Sequence, residues 1–314
     1  MPARPAPVES GEAGLSADHS VSSPLSRRWA PSRRRWTIAG FVLLVSALAA
    51  ALVLRGEQER HGREVDALKH QLETGRRTEL TMARKLEGLP PPVRRYLQMV
   101  LPTGAPRPPR IVTLRQHGEL RTDVTSAHWM PFEATHLASP GATGFVWDAW
   151  VNAAPFIHIR VLDSLIQGRG AGQVLLLSAL DVGHDGATPE MNSGSLHRFL
   201  AEAPWYPWAL LPSDELSWTP VDDHRALATL SAQGTTVALE FRFAESGEVQ
   251  SIYTPGRWGS FGGAYAKLPW EGRFLDYQRQ GGVLVPMRAE VGWYQGGKLA
   301  LVWKASIDGV STSY

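Results

Sequence analysis

The run from Trp36 to Leu54 constrains this chain more than any other segment: 19 consecutive residues carry no charge, and Arg33-Arg34-Arg35 stand directly before them. At a helical rise of about 1.5 Å per residue, the run just crosses a hydrocarbon core of about 30 Å. Arg27, Arg28, Arg33, Arg34 and Arg35 crowd its N-terminal side without an acid among them. On the other side Arg55, Arg60, Arg63 and Lys69 are diluted by Glu57, Glu59, Glu64 and Asp66. The positive-inside rule then puts residues 1–35 in the cytoplasm, residues 36–54 in the inner membrane and everything after them outside the cytoplasm. Two readings compete with an uncleaved anchor. Ala47-Leu48-Ala49 has the pattern of a signal-peptide cleavage site, and Ser32-Arg33-Arg34-Arg35-Trp36 resembles a twin-arginine export signal. The run stays apolar for five residues past Ala49, longer than the apolar core of most signal peptides, which favours the anchor.

Charge separates the chain into two parts. Residues 1–88 hold 14 Lys and Arg against 10 Asp and Glu, whereas residues 89–314 hold 18 against 20. The basic balance thus belongs to the anchor region, and no basic patch is left to suggest a nucleic-acid partner. Cysteine is absent, which excludes disulfides, thiolate nucleophiles and Cys-based zinc sites. A domain of this length can rely on its core alone.

Residues 1–35, rich in Pro, Ser, Ala and Arg, read as a disordered cytoplasmic tail. Residues 55–88 are highly charged, with Val65, Leu68 and Leu72 and then Leu80, Met82 and Leu86 at helical spacing. They read as an exposed helical stalk; coiled-coil pairing is the alternative, disfavoured because Gly75 breaks the pattern after little more than one heptad. Pro90-Pro91-Pro92 stops it, and residues 89–314 form the extracytoplasmic domain. There a short helix, Val93 to Leu101, precedes strands of period two. Phe145, Trp147, Ala149 and Val151 alternate with Val146, Asp148, Trp150 and Asn152. One helix interrupts them, capped by Ser193 or Ser195 and presenting Leu196, Phe199, Leu200 and Ala203. Pro204 and Pro207 break it at an aromatic elbow, Trp205-Tyr206-Pro207-Trp208. From Val237 to Ile307 the alternation is that of an antiparallel meander with one dry and one wet face. The fold class expected is α+β: a mainly antiparallel, curved, half-barrel-like sheet with a few covering helices.

Several of these segments resemble a known family. They are Leu89-Pro90-Pro91-Pro92-Val93-Arg94-Arg95-Tyr96-Leu97, Gly144-Phe145-Val146-Trp147-Asp148-Ala149 and Phe199-Leu200-Ala201-Glu202-Ala203-Pro204-Trp205-Tyr206-Pro207. Ala209-Leu210-Leu211-Pro212, Pro269-Trp270-Glu271-Gly272-Arg273-Phe274 and Val285-Pro286 follow in the same order. Together, over about residues 89–307, they resemble a bacterial family of uncharacterised membrane-anchored envelope proteins, a domain of unknown function. That resemblance implies neither an activity nor catalytic residues. The order of helix, elbow and long meander is also similar, in architecture, to the half-barrel carriers of lipids and lipoproteins of the LolA, LolB and LppX type.

No chemical motif survives inspection. Gly292-Trp293-Tyr294-Gln295-Gly296-Gly297-Lys298 has P-loop spacing but continues into Leu299 and lies in a hairpin. His184-Asp185 and Asp222-Asp223-His224 sit in turn-like contexts, and a metal site would need further ligands from other strands. No catalytic residue, metal or cofactor is assigned. Ten tryptophans in residues 89–314 can fill a core or line an apolar site. The residues expected to line a groove for an apolar ligand are Trp147, Trp150, Trp205, Tyr206, Trp208, Trp270 and Phe274. Asp148, Glu202, Glu271 and Arg273 are read first as buried ion pairs and second as polar anchors for a headgroup. The expected function is non-catalytic binding or carriage of a lipid or lipoprotein acyl chain. An envelope hydrolase using His184 or His224, or a structural scaffold, remains open beside it, and the oligomeric state is unassigned.

Overall fold

The computed structural model describes residues 33–75, 86–102 and 107–314. The expectations for the tail over residues 1–32 and for Leu80 and Met82 in the stalk lie outside the described residues. The chain divides into two compact units, Met1–Ala49 and Ala50–Tyr314.

In the first unit the described residues belong to helix α1 (Arg33–Thr74), and Trp36, Phe41, Leu43 and Leu48 on it are all exposed. Among the described residues this is the one helix long and apolar enough to cross a membrane.

The second unit contains the rest of α1, and here the exposed-stalk expectation is corrected for residues 55–74. Leu72 is buried, and with Val65 and Leu68 it covers Ile111, Leu137, Val146, Leu162 and Ile166 of the sheet. The i, i+3, i+7 stripe of Val65, Leu68 and Leu72 suffices to seat a helix on a sheet. Close approach depends on Gly144, where a Cβ would stand 2.9 Å from Leu72 Cδ1 and 2.6 Å from the Leu165 carbonyl oxygen.

Helix α2 (Pro91–Val100) begins on proline, whose missing N–H costs nothing at a helix start, and buries Val93, Tyr96, Leu97 and Val100. Two antiparallel meanders follow. The first is β1 (Ile111–Leu120), β2 (Met130–Ser139), β3 (Gly144–Ala154), β4 (Ile157–Ile166), β5 (Arg169–Leu176) and β6 (Leu180–Asp185). The second is β7 (Leu216–Asp222), β8 (Arg225–Ala232), β9 (Thr235–Phe243), β10 (Val249–Phe261), β11 (Ala264–Gln280), β12 (Val283–Gln295) and β13 (Lys298–Ser313). They join where β1 pairs with β13, giving one 13-stranded sheet in the order β6-β5-β4-β3-β2-β1-β13-β12-β11-β10-β9-β8-β7. Gln167-Gly168, Gln233-Gly234, Gly262-Gly263, Gly281-Gly282 and Gly296-Gly297 all have positive φ, the two-residue turn whose twist matches that of the strands it joins.

Between the meanders lies α3 (Pro189–Glu202). Its cap is Thr188, whose hydroxyl accepts from the Met191 amide at 3.2 Å, not Ser193 or Ser195 as the apolar spacing suggests. Thr188-Pro189-Glu190 supplies a cap, a proline at the first position and an acid against the helix dipole, so the helix starts a turn and a half earlier. Two 3₁₀ turns, Ala203–Trp205 and Pro207–Leu210, make the elbow.

The curvature follows from what α3 touches. It packs on β3, β4 and β5 from one meander and on β8, β9 and β10 from the other. β5 and β9 stand nine positions apart in the sheet, about 43 Å if it were flat at roughly 4.8 Å per strand. One helix about 10 Å across bridges them only because the sheet curls around it. The domain is therefore α+β, a curved antiparallel half-barrel with its edges β6 and β7 unjoined and α3 on its concave side.

Candidate functional site

The concave side holds a cavity of about 310 Å³. Its walls come from both meanders and from α3, with the indoles of Trp147 on β3, Trp205 in the elbow, Trp270 on β11, Trp293 on β12 and Trp303 on β13. Phe274, Ile252, Val161 and Ala289 complete an apolar surface. The strand period explains the set: Trp270 and Phe274 lie four apart on β11, and Trp270 faces Trp293 across the β11–β12 ladder. Two indoles are held by their N–H groups. Trp147 donates to Gln116 Oε1 at 2.9 Å and Trp205 to the Pro286 carbonyl at 2.9 Å.

Part of the wall is charged: Arg121, which donates to the Leu301 and Ser126 carbonyls, and a cluster around α3. Arg198 on α3 donates to Glu202 at 2.8 Å and to Asp163 on β4 at 2.7 Å, and its guanidinium lies 4.8 Å from the Trp147 ring. Arg257 on β10 sits between indoles, 5.1 Å from Trp270 and 5.3 Å from Trp293. It donates to the Gly194 carbonyl at 3.2 Å, while its Nε is buried without a hydrogen-bond partner. Among the described residues no carboxylate lies within ion-pair distance of it. Burial and then the neighbouring charge of Arg198 pull the Arg257 guanidinium down to about 10. Burial raises the Asp163 carboxyl, against the pull of Arg198. Behind Glu202, His136 is fully enclosed 3.4 Å from the Glu202 carboxylate. Burial holds its imidazole down to about 4, against the pull of that carboxylate. A second chamber of about 230 Å³ continues past Asp163, Arg198, Arg257 and Trp293 toward Ser195, Trp258 and Tyr265.

The residues expected to line a groove do not all meet. Trp147, Trp205, Trp270 and Phe274 do, with Glu202 beside them. Tyr206 and Trp208 are fully buried in the core and do not line the cavity; the Tyr206 hydroxyl donates to the Phe199 carbonyl at 2.8 Å. Their prolines produce tight 3₁₀ turns packed under the sheet rather than an opening. Trp150 is on the other face, three residues and therefore one change of face from Trp147. It is exposed there and stacks on His158 at 3.5 Å.

Of the polar anchors, Asp148 is also on the outer face, in a two-pronged ion pair with Arg160 and 3.3 Å from His61 of α1. It borders a polar depression of about 680 Å³ together with Trp150, Arg115 and Glu133. Glu271 is buried between Arg273 at 2.8 Å and the Tyr294 hydroxyl at 2.7 Å, away from the cavity wall. Arg273 reaches on to Glu290 at 3.5 Å. All four make ion pairs, Glu202 with Arg198, although Arg273 is exposed rather than buried; of the four, Glu202 alone borders the cavity. His184 lies exposed on edge strand β6 and His224 in the β7–β8 turn. Among the described residues no three His, Asp or Glu side chains converge as metal ligands would.

Sequence reasoning missed Trp293, Trp303, Arg198, Arg257 and Asp163. Trp293 and Trp303 fall on the apolar phase of their strands, a signal already present in the alternation. Arg198 stands four residues before Glu202, a spacing that pairs charges on a helix. Nothing local distinguishes Arg257, which gains its neighbours only when the sheet curls.

No curated protein matches the chain. Solved structures resemble it only weakly. A DUF1329 family protein from Desulfovibrio piger has TM-score 0.37 and 6% identity, covering 65% of this chain and 86% of that one. A LolA superfamily protein from Nitrosomonas europaea has TM-score 0.31 and 8% identity over the same shares. A β-barrel-like DUF1849 protein from Brucella abortus has TM-score 0.27 and 8% identity, covering 65% and 98%. The model of DUF6544, a family of unknown function, matches residues 79–305, and the chain belongs to that family.

Proposed function

We propose that this protein is a membrane-anchored, non-catalytic binder of an apolar ligand, held in the cavity between α3 and the concave face of the sheet. The observation that carries this reading is the wall of five indoles around a cavity of about 310 Å³. The cavity has a mostly apolar wall and is partly open to solvent, so an apolar ligand that covered the indoles would remove their surface from water. Its volume is at the lower end of the range for small-molecule sites, about 300–1,000 Å³, which suits one acyl chain better than a multiply acylated lipoprotein. Residues 36–54 anchor the chain in the inner membrane with the N-terminus cytoplasmic and the sheet domain outside.

The test is to purify the full chain in a non-ionic detergent and to extract and weigh bound small molecules by mass spectrometry. A chain-bearing amphiphile at near-stoichiometric amount, lost on Trp293→Arg, is the expected result. An extract matching that of an unrelated single-span protein purified alongside would refute the reading.

A further inference from the structure

The charged residues lining the cavity are Arg121, whose guanidinium donates to the Leu301 and Ser126 carbonyls, and the cluster of Asp163, Arg198, Glu202 and Arg257, in which the charges are unequally served. Arg198 has two carboxylates within 2.8 Å, whereas Arg257 has none within ion-pair distance among the described residues. The Arg257 guanidinium lies 5.1 Å from the Trp270 ring and 5.3 Å from the Trp293 ring, and it spends one hydrogen bond on the Gly194 carbonyl. Its buried Nε donates to nothing. A buried donor left unpaired is costly, and one on a charged group more so. Arginine presents its N–H groups as a fork matched to two oxygens of one anion.

We propose that Arg257 is the headgroup anchor of this cavity, so that its ligand is a single-chain amphiphile ending in an anionic carboxylate or phosphate. This rests on the cavity being a ligand site, as argued above. The chain lies among Trp147, Trp205, Trp270 and Trp303, and the anion meets Arg257 where the main cavity opens into the second chamber. Asp163 and Glu202 stay committed to Arg198, which keeps their charge away from the incoming anion. Burial together with the charge of Arg198 makes the protonated guanidinium expensive, and an anion beside it would relieve that cost.

The experiment uses the full chain in maltoside detergent and reads quenching of tryptophan fluorescence, because bromine near the indoles reports occupancy of this cavity directly. The probes are ω-bromoundecanoate, ω-bromoundecyl phosphate and ω-bromoundecanol, with inorganic phosphate as competitor. The wild-type protein is expected to bind at least one of the anionic probes about tenfold or more tightly than the alcohol. The preferred anion identifies the headgroup. Arg257→Met should erase the difference, and Arg257→Lys, which keeps the charge but loses the fork, should retain only part of it. Competition by millimolar inorganic phosphate alone would mark the source as a free anion, and overturn the amphiphile. Equal binding of acids and alcohol by the wild-type protein overturns the anchor while leaving an apolar site. Failure of all three chains to quench overturns the binding function itself. Both of these readings come from the wild-type protein and do not depend on a variant folding.

Discussion

Trp208 separates core from cavity most sharply, and truncating it to alanine has a calculable cost. Its side chain is 1% exposed in the second 3₁₀ turn and contributes nothing to the cavity wall. A buried indole hides about 200 Å² of surface, which at roughly 25 cal/mol/Å² is about 5 kcal/mol. The indole N–H of Trp208 is buried without a partner, however, so the substitution also removes an unpaired donor worth about 1–3 kcal/mol in the opposite direction. The net expectation for Trp208→Ala is about 3 kcal/mol, with a Tm lowered by about 6–12 °C in a domain of this size. Trp208→Phe, which drops the orphan N–H and keeps most of the ring, should cost well under half as much. The assay is thermal unfolding of the full chain in detergent followed by far-ultraviolet circular dichroism. A Tm within about 2 °C of wild type for Trp208→Ala would refute the reasoning, because it would mean that the elbow is open space rather than core.

Stability should fall on acidification between about pH 6.5 and 4. His136 and His197 are each held down to about 4 by burial, while in the unfolded chain they titrate near 6.5, so the unfolded state takes up protons first as the pH drops. Each contributes up to about 3 kcal/mol that is present in full above pH 6.5; Asp163, raised by burial, acts in the opposite sense. Glu202 partly offsets the loss at His136, whereas Arg257 and Lys267 reinforce it at His197, and a flat Tm across this window would count against the buried, neutral histidines. Leu72→Ala should release the second half of α1 from the sheet, at a cost of about 2–5 kcal/mol to that contact. Limited proteolysis should then cut within residues 55–75 faster while β1–β13 remain resistant, and unchanged cleavage would argue against the docked helix. A phosphatase fused after Tyr314, active only outside the cytoplasm, should be active, and a processed band smaller by about 5 kDa would mark cleavage near Ala49 instead of anchoring.

The strands were legible because a half-buried antiparallel sheet writes period two into the chain, as from Val237 to Phe243 and Val283 to Trp293. The missed start of α3 shows where apolar spacing fails. Its first turn at Thr188-Pro189-Glu190 is exposed and carries no apolar stripe, so only the capping chemistry marks it. For the site, parity along β3 was enough to place Trp150 opposite Trp147, yet tryptophan as a residue type drew both into one group. The elbow misled for a related reason. Proline ends an α-helix without saying whether the chain then opens or tightens, and here it tightens into 3₁₀ turns that bury Tyr206 and Trp208. Arg257 could not have been found locally, since Gly194, Trp270 and Trp293 reach it from three separate elements.

The seam between the two meanders sets the order in which this domain can be made. β1 meets β13 with Ile111 opposite Ser313, about 200 residues later in the chain. At about 5–20 residues per second, roughly 10–40 s separate the synthesis of these two strands, and for that interval the long flank of β1 has no partner. Pairing across so great a sequence separation is slow even once the last strand exists, because the loop must close before any contact rewards it. An exposed strand edge is a template for association with other chains, so the interval is one of risk. The consequence is a sharp intolerance of truncation: removing β13 leaves two half-sheets, each with a bare edge at what should have been the centre.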